Sequence, residues 1–356
     1  MKRVIKFFVI IFICLFVLYL LLWPVHIDPL AWNPPAAPPL AGVYQPNDRL
    51  AAIERIPVKG IGPEDIAIDA DGRIYTGLQD GRIMRVSAGG SEVTEFANPG
   101  GRPLGLKFDK SGNLIVCNAY LGLQSIAPDG GIATLTRDVN GVNFGFTNDL
   151  DIAEDGTIYF TDTSFNTNQA NFRNDIFEHR SNGRLMSYDP VSKKTLLLLD
   201  NLYFPNGVAV SPDQSFILVN ETTMYRITRY WLTGPKTGQH DIFIDNLPGF
   251  PDGILSNGKD RFWLALPSPR DGMLDGIMPY PFLRKIVMRL PEGVQPAPKR
   301  HPFVLGLDMN GQVIENLQDP DGKSYGFITN VAERDGKLYF GSLMENAIGR
   351  ISYPSR

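Results

Sequence analysis

From residue 49 onward, Ile, Val, Leu, Phe and Tyr alternate with small or polar residues in short runs of four to six positions, the period of a strand rather than a helix. Six segments share one grammar, an alternating run, a polar turn of the Asp-Gly kind, and a second β-rich run. They are EDIAIDADGRIYTG from Glu64, LGLKFDKSGNLIVCNAY from Leu104, NDLDIAEDGTIYFTDTS from Asn148, NGVAVSPDQSFILVNET from Asn206, DGILSNGKDRFWLALPS from Asp252 and ITNVAERDGKLYFGSL from Ile328. Third runs such as GRIMRVS, GRLMSYDP and YRITRYWL, and a fourth such as TLLLLDNL, complete four-stranded meanders. No long amphipathic helix stands out after Trp23. Six such sheets bury their faces only against neighbours, so the pattern predicts an all-β chain, a six-bladed β-propeller over 49–356. Two β-sandwich domains would not require the same turn grammar six times.

The first 48 residues follow other rules. Residues 7–23 form seventeen consecutive apolar or aromatic residues, which span roughly 25 Å as a helix, near the thickness of the bilayer core. Lys2, Arg3 and Lys6 precede the run and the next Lys or Arg is Arg49, which predicts an N-terminal transmembrane helix (1–23) with a cytoplasmic N-terminus and an extracytoplasmic body. The alternative is a cleaved signal peptide, but the run ends in Trp23-Pro24-Val25-His26 with no small-x-small site beside it. Residues 24–48, centred on WNPPAAPPL, read as a proline-rich linker holding the body off the membrane.

With 34 Lys plus Arg, 38 Asp plus Glu, a net charge of -4 and no basic block in the body, nucleic acid is not an expected partner. Cys14 and Cys117 are the only cysteines, and Cys14 lies inside the apolar run, so neither a disulfide scaffold nor a cysteine-built zinc site follows. No Gly-x-Gly-x-x-Gly sits between strand and helix patterns, which argues against a nicotinamide dehydrogenase.

In a propeller the first strand of each blade lines the central channel, so equivalent repeat positions converge on one ring. The residues opening these strands are Glu64, Leu104, Asn148, Asn206 and Asp252, with the sixth at Thr329 or Asn330. Two carboxylates and two amides suit a hard cation, and one Ca²⁺ ion in the channel is expected, held by Glu64, Asn148, Asn206 and Asp252. Turn chemistry alone explains any one Asn-Gly or Asp-Gly pair, but not Glu64 at the same position.

The motifs GPEDIAID, FTNDLDIAEDGTIYFTDTS, GRLMSYDP, FPNGVAVSPD, RYWLTGPKTG and DNLPGFPDGI, spread over residues 50–353, resemble the strictosidine-synthase-like / adipocyte plasma membrane-associated protein family, within the gluconolactonase, regucalcin and paraoxonase superfamily of six-bladed propellers. The resemblance implies the same four metal ligands and a single N-terminal span with the propeller outside. Two departures stand out. Leu104 and Asn118-Ala119 occupy the stretch where paraoxonases place a histidine pair. Thr329-Asn330-Val331 stands where many relatives carry Ser-Glu-Val, so strictosidine synthesis, which uses a late glutamate, is not expected.

The expected activity is hydrolysis of a lactone or aryl ester, with the metal polarising the carbonyl and water attacking. Asp252 is the candidate general base or nucleophile and Asp149 the next. Two interruptions, 163–182 in blade 3 and 267–282 in blade 5, are expected to shape the pocket above the metal. Candidate substrate contacts are Leu104, Asn118, Phe165, His179, Tyr280 and Thr329; His26, His240 and His301 have no supporting context. The alternative class is a non-enzymatic binding or scaffold propeller with a structural calcium ion.

Overall fold

The structure, a computed structural model, describes residues 2–353. Six four-stranded antiparallel sheets follow one another around a central channel. Their innermost strands are Ala67–Ile68, Pro103–Phe108, Thr147–Ile152, Pro205–Val210, Ile254–Ser256 and Ile328–Arg334, for blades 1 to 6. The six repeats of the sequence are these six blades. Faces pack blade against blade, as the short sheets require. Tyr75 of blade 1 meets Phe108 of blade 2 edge-on, and Phe216 of blade 4 lies 6.1 Å from Phe262 of blade 5.

Closure is not visible in the repeat pattern. Blade 6 supplies only three strands from the C-terminal part of the chain, and its outer strand is Glu54–Pro57, paired antiparallel with Ala347–Ser352. Arg350 holds Glu54 at 2.7 Å across this seam. The N-terminal strand thereby closes the circle and removes two open sheet edges at once.

Helix α1 (Lys2–Leu22) is long and apolar enough to cross a membrane, with none of its residues buried in the protein. Three short helices appear where the sequence shows only irregular insertions. Helix α2 (Phe172–Glu178) lies in blade 3, while α3 (Gly272–Ile277) and α4 (Pro281–Arg289) lie in blade 5. The blade 5 insertion runs from Ala265 to Phe303, well beyond the expected 267–282.

The proline-rich stretch is not a free spacer, contrary to the sequence reading. It is a strap laid over the propeller. Leu30 N donates to Glu178 O, Trp32 N to Met278 O, Arg270 donates to Pro35 O and Asn246 to Ala36 O. Ile27 is buried with Phe177, Leu274 and Met278. Polyproline-like backbone leaves its carbonyls free, and here arginine and asparagine side chains use them.

Candidate functional site

Each innermost strand reaches the channel through the same two-residue device. In blades 2, 3, 4 and 6 the strand pairing breaks register between Pro103 and Leu106, Thr147 and Leu150, Pro205 and Val208, and Ile328 and Val331. The two residues inside each break are released from the ladder and re-aimed, as in a β-bulge. In blades 1 and 5 the equivalent pairs, Glu64-Asp65 and Asp252-Gly253, come just ahead of the strand. The first residues of the pairs are the ring anticipated from the sequence, and all six line one narrow cavity of about 10 Å³, room for a single water-sized or ion-sized occupant.

The second residues stitch neighbouring blades. Asp65 Oδ2 accepts from Leu106 N at 2.6 Å, Asp149 Oδ2 from Val208 N at 3.1 Å, and the Asn330 amide donates to Asp65 Oδ1. Where the second residue is glycine, the next blade leaves no room for more. A Cβ on Gly105 would sit 2.7 Å from Asp149 Cα, and Gly207 and Gly253 are blocked likewise by the Asp252 and Thr329 carbonyls.

Asp149 therefore serves the joint between blades. Its Oδ1 accepts from Leu150 N at 2.8 Å and its Oδ2 from Val208 N. The Asn148 amide nitrogen donates to Thr163 Oγ1 at 2.9 Å, which leaves the amide oxygen for the cavity. The Asn206 side chain lies beside the Asp252 carboxyl and pulls its pKa down against the effect of burial. Thr329 Oγ1 donates to Glu64 O at 2.6 Å and acts as another interblade stitch.

Burial dominates the electrostatics of the ring. It pushes the Asp252 carboxyl well above the usual carboxylate range, helped by the negative charges of Glu64 and Asp149. Asp149 is raised in the same way by burial and by Asp65, and Asp65 is pushed up to about 6 against two backbone N–H groups that pull it down. Glu64 is raised by burial while Arg102 pulls it back. Arg102, itself buried, lies 2.7 Å from Glu64 and also donates to Gly62 O. Nothing in the local pattern points to this partner, because the side chain comes from the entry to blade 2 and crosses to blade 1.

Four carboxylates thus line a cavity with one guanidinium reaching it, an imbalance a hard divalent cation would relieve. Among the described residues no three His, Cys, Asp or Glu side chains form a metal-binding cluster by themselves. A cation here depends on the Asn148 and Asn206 amide oxygens as well as on Glu64 and Asp252. The residues present fit calcium better than zinc on that donor chemistry.

The other anticipated contacts scatter. Leu104 lies in the cavity wall and packs behind it against an apolar cluster of Ala119, Phe146, Phe204 and Ile176, the last from α2. Asn118 is taken out of the substrate set, because its amide is consumed by Arg102 N, Tyr120 N, Gly100 O and Gln124. Phe165 is half exposed beneath the Arg184 guanidinium, and Tyr280 is exposed at the start of α4. Neither lines the cavity. His179 is buried in the αL position that ends α2, stacked 4.1 Å from Trp32 of the strap, with neither ring nitrogen hydrogen-bonded. Burial pushes it down to about 3, so it is a neutral packing ring at physiological pH.

Comparison with known proteins places these features. A strictosidine synthase model matches residues 148–235, and a strictosidine synthase-like N-terminal model matches 42–86. Protein strictosidine synthase-like 10 of Arabidopsis thaliana is 40% identical over 316 residues, covering 81% of this chain and 84% of the relative. The human adipocyte plasma membrane-associated protein is 36% identical over 352 residues, covering 92% and 84%. Among solved structures, a gluconolactonase from Xanthomonas campestris matches with a TM-score of 0.63 at 17% identity, over 85% of this chain and 89% of that one. A calcium-binding regucalcin from Agrobacterium tumefaciens matches with a TM-score of 0.59 at 16% identity, over 85% and 97%. At those identities the two structures speak to the fold.

Proposed function

The chain belongs to the strictosidine synthase-like family, and from that premise we propose that it is a calcium-dependent hydrolase of lactones or esters, carried on a membrane-anchored propeller that faces away from the cytoplasm. The observation that carries the reading is the ring, in which carboxylates and amides delivered by separate blades converge, buried and under-compensated, beside an apolar cluster. The gluconolactonase and the calcium-binding regucalcin that share the fold support it as analogy.

Glu64, Asn148, Asn206 and Asp252 would hold the ion. When bound, calcium supplies a Lewis acid for a substrate carbonyl and for the oxyanion that develops from it. The chain supplies the rest. Leu104, held in place by Phe146 and Phe204, presents the apolar wall against which the apolar part of an ester or lactone would lie. Asp252, free of the backbone N–H bonds that occupy Asp149, is the group placed to take a proton from the attacking water at a carboxylate oxygen. Asn206 lies beside that carboxylate, and Asp149 fixes the spacing of blades 3 and 4 around it.

The test is the full chain in detergent, stripped of divalent ions, with thermal unfolding and aryl-ester or lactone hydrolysis followed as Ca²⁺ returns. The strap is kept, because it is hydrogen-bonded to the blade 3 and blade 5 insertions. A calcium-dependent rate that is lost in Asp252→Asn supports the hydrolase. Calcium stabilisation without turnover on any substrate favours the second reading, a binding propeller tied by a structural ion. That reading draws on the Glu64–Arg102 pair, which neutralises one ring carboxylate, and on Leu104 at the position where paraoxonases place a histidine.

A further inference from the structure

Helix α4 is partly inverted for a helix on the surface of a water-soluble domain. Val287 and Met288 pack onto the Ile27, Phe177, Leu274 and Met278 cluster, but Arg284 is buried against α2 and the strap and Arg289 against the end of α1, while Phe282 and Leu283 point outward at 54% and 41% exposure. A surface helix ordinarily turns its apolar stripe to the core and its charges to solvent. Both arginines donate to backbone carbonyls, and of their buried nitrogens Arg284 Nε alone is left without a partner. Arg284 donates to Phe177 O at 2.7 Å and to Glu178 O at 3.2 Å. Arg289 Nη1 donates to Leu20 O at 2.8 Å, near the end of α1. Met273 on α3, Tyr280 and Val294 extend the exposed apolar surface, each at 56–60% exposure.

The position of α1 says what covers this surface. Tyr19 Oη donates to Arg289 O at 2.9 Å, so the end of the apolar helix is pinned to the end of α4. Tyr19 and Trp23 are the aromatic residues expected at the membrane–water boundary, which sets that boundary at the level of α4. A groove of about 490 Å³ separates α1 from the insertions of blades 3 and 5, lined on one side by Phe16 and Tyr19 and on the other by Arg173, Asn174, Met288 and Leu290. Apolar surface beside a bilayer boundary, continuous with a spanning helix, is what an interfacial helix presents to lipid.

We infer that the outer face of α3 and α4 is seated in the lipid interface beside α1, with phospholipid filling the groove, so that the mouth of the propeller is held against the bilayer. The inference rests on α1 spanning the membrane and does not depend on the hydrolase reading.

The experiment uses the full chain reconstituted in phosphatidylcholine vesicles that contain nitroxide-labelled lipid. A fluorophore is placed on native Cys14, which is exposed on α1. In a Cys14→Ser background it is placed instead on Phe282→Cys, Leu283→Cys or Met273→Cys, or on Lys110→Cys, an exposed position at the far end of the propeller. The expected result is strong quenching by labelled lipid at 14, 282, 283 and 273, and none at 110. Quenching at 14 with 282 and 283 as open to an aqueous quencher as 110 overturns the seating alone. No quenching at 14 overturns the span and the seating with it. Shielding of 282 and 283 from both lipid and aqueous quenchers means that a second protein surface covers the face, and overturns the lipid assignment.

Discussion

The two ends of the propeller are built from opposite materials. At the end away from the ring, hairpins close on themselves. Asp109 Oδ1 accepts from Ser111 N at 2.9 Å and Asn113 N at 2.8 Å, and Asp69 does the same for Asp71 and Arg73. Their charges face solvent, and each bond spans two to four residues. At the lid end, charged side chains go inward and the bonds are long. Arg284 reaches a carbonyl 107 residues away, and Arg289 one 269 residues away. The far end is built mainly from local turns joined by a few bonds between neighbouring blades, such as Lys110 to Glu154 O, whereas the lid is one cooperative assembly of strap, α1 and two insertions.

That contrast breaks most sharply at the ring. Asp252→Asn is expected to cost a hundredfold or more in turnover, on the order of what a positioned general base contributes, while Asp109→Ala leaves kcat unchanged; steady-state kinetics on the same substrate decide it. A comparable loss from both would mean that the two ends are not functionally separate. Next comes Arg284→Ala, which strands the Phe177 and Leu30 carbonyls and leaves Glu178 O with Leu30 N alone. Orphaning buried acceptors costs about 1–3 kcal/mol, and the loss should appear as rapid proteolysis of the strap with the blades still protected.

Titration sharpens the comparison further, because the lid holds two opposed groups. Asp175 on α2 is pushed up from 3.8 to about 7 by burial, so the folded state binds its proton more tightly than the unfolded one. Its contribution to stability is full below pH 4 and is lost as pH rises toward 7. His179 is pushed down from 6.5 to about 3 by burial, so its contribution is full above pH 6.5 and is lost as pH falls toward 3. Asp175→Asn should therefore leave lid stability rising with pH between 4 and 6.5, and His179→Gln should leave it falling over that range. Hydrogen exchange in α2 across that range measures both. The smallest effect is at the far end, where Asp109→Ala is worth about 1 kcal/mol or less in denaturant unfolding.

What the sequence reveals follows the same division. Alternation and Asp-Gly turns are properties of neighbouring residues, so the blades, their number and the ring positions Glu64, Asn148, Asn206 and Asp252 are legible from the chain. The role of Asp149 is not, because stitching and catalysis ask for the same carboxylate, and only the distance to Val208 N separates them. Arg102, the docked strap and the partly inverted α4 escape for one reason. Each is decided by a partner far along the chain, and nothing in the local pattern of WNPPAAPPL or PFLRKIVMR names that partner. Asn118 was misread for the converse reason, since its partners are local and a polar residue ending a strand resembles a site residue.

The seam between Glu54 and Arg350 also sets a schedule for biosynthesis. The two residues are 296 positions apart, so the strand that completes blade 6 is among the first parts of the body to be made and its partner among the last. Until that partner is made, the circle stays open with unpaired strand edges at both ends, the state in which a β-rich chain is most prone to pair wrongly. The early strand begins 32 residues after the end of the apolar helix. In a chain anchored by that helix, the nascent edge therefore waits close to the membrane for the last blade to arrive.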